Sequence, residues 1–207
     1  MRSEFDKKAQ NWDCDPMKVE RAEVVAKAII TSVPLHQHMT AFEFGCGTGL
    51  LGLNLRFCFE KILMADNSPE MLAVLNKKIE TEKLGHIETQ LLDFDKNQLP
   101  LEPFDVVFTL FTLHHMPDVL KTIRQFYQIL KPGGFLCISD LEKEDGSFHG
   151  QGFTGHAGFE TDELKKLIVS EGFRIHNTQH VYTIKKSMGE TEKNYPVFLL
   201  NAQKLDL

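Results

Sequence analysis

Short apolar runs alternate along this chain with segments in which apolar residues recur at helical spacing. The runs predict strands at 40–44, 61–65, 86–92, 104–110 and 135–140. The intervening segments predict helices at 18–31, 50–59, 69–83 and 117–130. Strands that alternate with helices are typical of a parallel sheet with helical crossovers. The pattern therefore predicts an α/β fold.

The pattern changes after Asp140. Residues 141–159 carry five glycines among aromatic and histidine side chains, which predicts a long functional loop. A helix is predicted at 161–171, and strands at 173–184 and 195–204 flank a charged segment that reads as a solvated hairpin loop at 185–194. Residues 131–134, Lys-Pro-Gly-Gly, predict a turn before the fifth strand.

The whole pattern predicts one domain: a three-layer αβα sandwich around a mostly parallel seven-stranded sheet with an antiparallel C-terminal edge hairpin. We assign its parts in chain order: an N-terminal cap and helix at 1–38, a core at 39–140, a lid loop at 141–159, and a C-terminal helix with edge strands at 160–207.

Composition narrows the function classes. A chain of 207 residues with 42% apolar and 25% charged residues predicts one ordered domain. A net charge of -6 disfavours nucleic acid and anionic lipid as partners. The four cysteines form no C-x-x-C pair, and no apolar run approaches the ~20 residues of a membrane span, so we expect a cytoplasmic protein. Neither adjacent histidine pair has the i, i+4 spacing of a helical metal site, so no metal is predicted.

A glycine-rich segment at 43–49 lies where the first strand turns into a helix. Alternating glycines allow a sharp turn and a close ligand approach, which is more than a tight turn alone requires. Residues 47–52 match G-x-G-x-x-G, the dinucleotide fingerprint, but that match is weak by itself. Asp66 follows Gly49 by 17 residues, where an acid accepts hydrogen bonds from a ribose. These two features predict an adenosine-type cofactor without choosing between classes.

Two other segments distinguish better between these classes of cofactor. Glu43-x-Gly45-x-Gly47-x-Gly49 resembles the first motif of class I S-adenosylmethionine-dependent methyltransferases, and the Asp-Asn-Ser-Pro-Glu-Met-Leu run at 66–72 resembles a second segment of that family. The likeness extends over roughly residues 5–140. It implies S-adenosylmethionine as cofactor, S-adenosylhomocysteine as product, and a set of cofactor-binding residues: Glu43, Gly45, Cys46, Gly47, Gly49, Asp66, Asn67, Met71, Asp93, Phe94, Thr109 and Trp12.

Methyl transfer from a sulfonium is an in-line displacement, so the protein must mainly orient its reactants. A general base is needed only for a hydroxyl, thiol or protonated amine nucleophile. The candidates for that role are His114, His115, Asp140 and His149. Loop shaping or cofactor packing is the alternative role of His114 and His115. The expected acceptor-binding residues are Phe5, Phe111, His149 and Phe153.

The acceptor is expected to be a small molecule. Residues 109–112 lack the Asn/Asp-Pro-Pro-aromatic segment that holds a target base, which disfavours a nucleic-acid substrate. The protein is expected to be a monomer or a homodimer. Two other functions stay open at this point: an NAD(P)-dependent oxidoreductase, and a non-catalytic protein that binds S-adenosylmethionine to regulate a partner.

Overall fold

The computed structural model describes residues 4–96, 98–150, 152–189 and 191–205, so residue 151 of the predicted lid, residue 190 of the predicted hairpin loop and both chain ends lie outside it. The strands are β1 Thr40–Phe44, β2 Lys61–Asp66, β3 Ile87–Leu91, β4 Phe104–Leu110, β5 Leu130–Leu141, β6 Phe173–Met188 and β7 Thr191–Lys204. The α-helices are α1 Glu4–Lys8, α2 Pro16–Ser32, α3 Leu50–Leu55, α4 Pro69–Glu82, α5 Val119–Ile129 and α6 Thr161–Ser170.

The seven strands form one sheet in the order β3-β2-β1-β4-β5-β7-β6. The first five are parallel neighbours, and β7 pairs antiparallel with both β5 and β6. The predicted mostly parallel sheet with an antiparallel C-terminal edge is confirmed. Because parallel strands end at the same edge, the segments that follow β1, β2, β4 and β5 meet there.

The core has two layers because strand residues alternate between the two faces of the sheet. In β4, Val107 packs on the side of α5 and α6. Its neighbours Val106 and Phe108 pack on the side of α2, α3 and α4. The three-layer arrangement is therefore present, and none of the described helices is long and apolar enough to cross a membrane.

Three local predictions were wrong. Helix α3 ends at Leu55 instead of residue 59. The predicted turn at 131–134 lies inside β5, where the register with β4 shifts and Gly133 takes a φ of +73°. The predicted loop at 185–194 is mostly strand, because β6 and β7 continue to pair as far as Met188 and Thr191.

The hairpin extends because its polar side chains have partners on the loop that follows β5. The ammonium of Lys186 donates to the Phe148 carbonyl at 2.7 Å, and that of Lys193 donates to the Ser147 hydroxyl at 2.6 Å. The polar residues of 185–194 predict a solvated turn, but two of the lysines among them contact a neighbouring loop.

Candidate active site

The glycine-rich turn after β1 is shaped by positive φ angles and by close packing. Gly45 has a φ of +66°, and a Cβ there would overlap the side chain of Thr112. Gly47 has a φ of +54°, and a Cβ there would lie 4.0 Å from both Met71 Sδ and Trp12 Nε1, at ordinary van der Waals distance. The turn is therefore bordered by Met71 and Trp12 at Gly47, where the lack of a side chain would let a cofactor approach the backbone.

Asp66, at the end of β2, faces this turn. One carboxylate oxygen accepts from the Gly47 amide at 2.7 Å, and the other accepts from the Ser68 amide at 2.8 Å. Burial raises the pKa of Asp66, and the surrounding N–H groups act in the opposite direction. Asp66, which is predicted to accept hydrogen bonds from the ribose, therefore lies beside Gly47 of the glycine turn.

Glu43 lies below the turn. Its carboxyl is 2% exposed and sits against Gly52 of α3, and its Oε2 has no hydrogen-bond partner. Burial raises the pKa of Glu43 well above its usual value. Glu43 therefore stands under the cofactor turn, where it packs against the first residues of α3.

The remaining predicted cofactor residues fall into two groups. Asp93 is partly exposed beyond β3 and pairs with Lys96 at 2.9 Å, and Asn67 is exposed beside Asp66. The side chains of Cys46, Phe94 and Thr109 are buried. The Thr109 hydroxyl donates to the Phe44 carbonyl at 2.9 Å, so this side chain ties β4 to β1 and does not line the cleft.

Hydrogen bonds and an ion pair hold the N-terminal segment over the glycine turn. The Thr48 hydroxyl donates to one carboxylate oxygen of Asp13 at 2.5 Å, and Lys78 Nζ pairs with the other oxygen at 2.5 Å. Lys78 also donates to the Thr48 carbonyl at 2.7 Å. These contacts place Trp12 beside Gly47, with Trp12 Nε1 4.0 Å from the Cβ position of that glycine, as expected for an aromatic cap.

We expect Asp13→Asn to weaken S-adenosylmethionine binding about fivefold, because a partly exposed charged contact of this kind contributes about 1 kcal/mol to closing the cap. Titration calorimetry measures the affinity, and proteolysis of the first residues reports opening of the cap. Glu4→Gln is the matched control, since Glu4 lies in the same segment and pairs only with exposed Lys8 in the described contacts. Equal affinities for both variants would contradict the role of Asp13.

The charges around the turn also choose between the two cofactor classes. The carboxylate of Asp13 binds Thr48, that of Asp66 binds the Gly47 amide, and that of Asp6 accepts from the Ser68 hydroxyl at 2.6 Å. Three carboxylates at this turn would repel a pyrophosphate. They are compatible with a nucleoside cofactor that carries no phosphate and a net positive sulfonium.

A second cluster lies where β4 and β5 end. His114 Nδ1 contacts Asp140 Oδ1 at 2.6 Å, and the His114 amide donates to Asp140 Oδ2 at 3.1 Å. Both side chains are essentially inaccessible, with relative exposures of 1% and 0%. The contact with Asp140 fixes the orientation of the His114 ring and directs its Nε2 away from the carboxyl group.

Two further histidines lie beside the other side of the His114 ring. His149 Nε2 lies 3.1 Å from His114 Nε2, and the rings of His114 and His115 are 4.1 Å apart. Burial, and secondarily the neighbouring His114, lower the pKa of both His115 and His149 to about 4. Both imidazoles are therefore neutral near pH 7 and are weak general bases there.

Aromatic rings surround the histidines and connect them to the cofactor turn. Phe153 stacks on His149 at 3.8 Å between centroids, and Phe5 contacts both Trp12 at 6.1 Å and His115 at 5.2 Å. The predicted acceptor residues Phe5, His149 and Phe153 are thus brought together. Phe111, the fourth, contacts His114 at 5.7 Å.

Phe111 has an unusual backbone. Its φ is +56°, a left-handed conformation that costs of the order of 1–3 kcal/mol for a residue with a side chain. The Phe111 amide donates to the Ser139 carbonyl at 2.9 Å, which holds the conformation in place. The strain turns the ring toward His114, at the edge of the sheet where ligands bind.

Sequence reasoning missed Arg21. Its guanidinium lies 3.7 Å from the Phe111 ring centroid, although the residue is on α2, far from every motif. Only 8% of Arg21 is exposed, its Nε has no hydrogen-bond partner, and burial lowers its pKa to about 10. An arginine beside an apolar helical stripe carries no signal for this position in the sequence.

Comparison with known proteins identifies the family. A family model described as a methyltransferase domain matches residues 42–138. An uncharacterized methyltransferase of Schizosaccharomyces pombe is 30% identical over 145 residues, which are 62% of this chain and 51% of the relative. The chain contains a methyltransferase domain, and its fold is that of class I S-adenosylmethionine-dependent methyltransferases. The predicted family and cofactor are confirmed, and the dinucleotide alternative is set aside.

Solved methyltransferases share the fold. A SAM-dependent methyltransferase from Aquifex aeolicus superposes with a TM-score of 0.68 at 20% identity, covering 92% of this chain and 99% of that one. A Haemonchus contortus phosphoethanolamine N-methyltransferase, solved with phosphomonomethylethanolamine and S-adenosylhomocysteine, gives 0.68 at 15% identity over 87% and 52% of the two chains. This methyltransferase chain spans about half the length, or less, of the first curated relatives it matches.

Proposed function

We propose that the protein transfers a methyl group from S-adenosylmethionine to a small acceptor bound among the histidines and aromatic rings. The observation that carries this is the continuity of the two clusters. Phe5 contacts Trp12, which borders Gly47, on one side and His115 on the other. A cofactor at the glycine turn would thus lie beside a chamber that holds the acceptor.

When bound, the cofactor supplies an activated methyl group on a positively charged sulfur. The protein's residues provide position and a dry environment. Asp66, positioned by the Gly47 amide, would hold the nucleoside side, and Trp12 and Phe5 cover the chamber. Alignment of nucleophile, methyl carbon and sulfur can account for about 7–11 kcal/mol of the barrier. Asp140 orients the His114 ring, whose Nε2 contacts His149, and His115 lies beside them at the acceptor side.

We further propose that the acceptor carries an anionic group. Arg21 is a buried cation beside the chamber, and its Nε has no hydrogen-bond partner among the described residues. Half-buried Lys186, which donates to the Phe148 carbonyl, lies 3.8 Å from the centre of the Phe148 ring. A buried polar group without a partner is costly, so an anion of the acceptor would stabilise Arg21. The phosphorylated acceptor in the Haemonchus contortus structure is in keeping with this class.

The test is a methyl-transfer screen with acceptor pairs that differ only in an anionic group, such as phosphoethanolamine against ethanolamine and 4-hydroxybenzoate against phenol. Formation of S-adenosylhomocysteine is the readout. We expect turnover with members that carry the anion. In Arg21→Met the KM of such an acceptor should rise about 10- to 100-fold, because a hydrogen bond to a charged group contributes about 1.5–3 kcal/mol.

Lys27→Met is the control for a lost cation, since Lys27 is an exposed residue of the same helix. Preference for the uncharged members would contradict the anionic acceptor. Tight cofactor binding without turnover on any acceptor would favour the regulatory function instead. The cytoplasmic location and the monomeric or homodimeric state stay predictions, which cell fractionation and sedimentation test.

A further inference from the structure

The three imidazoles at the acceptor side have a use that their positions along the chain do not suggest. One ring nitrogen from each of His114, His115 and His149 lies within 4.8 Å of the other two. In a tetrahedral zinc site with Zn–N bonds of 2.0–2.1 Å, neighbouring nitrogens are about 3.3 Å apart. The His114 and His149 Nε2 atoms, at 3.1 Å, already have that separation.

We propose that His114, His115 and His149 bind a divalent transition-metal ion, with zinc as the first candidate. Imidazole nitrogen is a preferred ligand of zinc, and three protein ligands with one open position are typical of catalytic zinc sites. The open position would face the acceptor chamber, because Phe5 and Phe153 border the same rings.

Asp140 completes the arrangement from behind. Histidine ligands commonly donate their second ring N–H to a carboxylate, which fixes the ring and strengthens the ligand. The Asp140 contact to His114 Nδ1 is of this kind. Asp140 also supplies a buried negative charge for a cation, which offsets the unfavourable effect of nearby Lys8 on the same rings.

The catalytic consequence rests on the proposed function. A metal-bound hydroxyl of the acceptor would release its proton to solvent at lower pH, as metal-bound water does. Its oxygen would then form the bond to the methyl carbon while the bond from carbon to sulfur breaks, giving the methyl ether and S-adenosylhomocysteine. Metal binding itself does not depend on this step.

The test uses full-length protein without a histidine tag, stripped with a chelator and titrated with Zn²⁺ in a calorimeter and with Co²⁺ under visible absorption. We expect one ion per chain and the intense Co²⁺ bands of a four-coordinate site. His149→Ala removes a ligand on an exposed loop and should weaken Zn²⁺ binding at least 100-fold. Asp140→Asn should weaken it about 10- to 100-fold by loss of ring orientation.

His156→Ala is the matched control. His156 lies on the same loop, but its Nε2 contacts the Met116 carbonyl at 3.0 Å, so Zn²⁺ affinity should be unchanged. S-adenosylmethionine affinity, measured in parallel, verifies that each variant is folded. Absence of stoichiometric Zn²⁺ binding, equal affinity in His149→Ala, or equal loss in His156→Ala would overturn the site. Zn²⁺ binding without methyl transfer to any acceptor would overturn only the proposed function.

Discussion

Asp66→Ala is expected to weaken S-adenosylmethionine binding about 100-fold, a change of roughly 2.7 kcal/mol. The carboxylate has two effects in one position. It accepts from the Gly47 and Ser68 amides and so holds the glycine turn open, and it lies where the ribose hydroxyls would bind. A hydrogen bond to a charged group contributes about 1.5–3 kcal/mol, so losing the amide contacts and the ribose contact together produces an effect of this size.

Titration calorimetry with the cofactor measures this change. Asp66→Asn keeps one oxygen acceptor and should lose less affinity than Asp66→Ala. Glu88→Ala is the control for removal of an acid from the neighbouring strand, because exposed Glu88 pairs only with Lys61 in the described contacts. Unchanged affinity in Asp66→Ala, with a thermal unfolding curve like that of the wild type, would show that this carboxylate does not hold the cofactor.

Gly158→Ala is expected to lower the free energy of unfolding by about 3 kcal/mol. Gly158 has a φ of +66°, which costs about 1–2 kcal/mol for alanine, and a Cβ there would overlap the Glu142 carbonyl. Backbone shifts to relieve such an overlap cost about 1–3 kcal/mol more. They would also strain the bridge between Glu142 and Phe159, which closes the base of the predicted lid.

Thermal and urea unfolding measure the loss, which corresponds to roughly 6–12 °C in Tm for a chain of this size. Gly146→Ala separates the two causes. Gly146 has a φ of +87° in the same loop, but no atom would lie within 4 Å of its Cβ, so only the backbone cost remains. If both variants lost the same stability, the contact with Glu142 would have no part in the effect.

Parts of the fold with a local cause could be predicted from the sequence. Strand 104–110 was predicted with its observed bounds, and the cap of α4 was predicted because Ser68 and Pro69 act within one turn of the helix. The extended hairpin could not be predicted in this way, because Lys186 and Lys193 form hydrogen bonds with a loop about 40 residues away in the sequence. Their charge alone predicts solvent exposure.

The candidate site likewise has residues that could be predicted from the sequence and contacts that could not. The glycine turn and Asp66 were found because their function depends on backbone geometry and on position at a strand end, both of which leave a local pattern in the sequence. The Asp140 and His114 contact was expected only as a set of candidates, since a 2.6 Å contact across 26 positions depends on the pairing of β4 with β5.

The sequence by itself determined the family and its cofactor, together with the order of strands and helices, because motif spacing and hydrophobic period are properties of the chain. Only the tertiary structure decided what faces the acceptor. It turned buried Arg21 toward Phe111 and placed His149 3.1 Å from His114 across 35 positions. The spacing of His114 and His115 had excluded a metal site on one helix. Folding brings His149, from the loop after β5, to the neighbouring residues His114 and His115 after β4, and no local spacing rule detects such an arrangement.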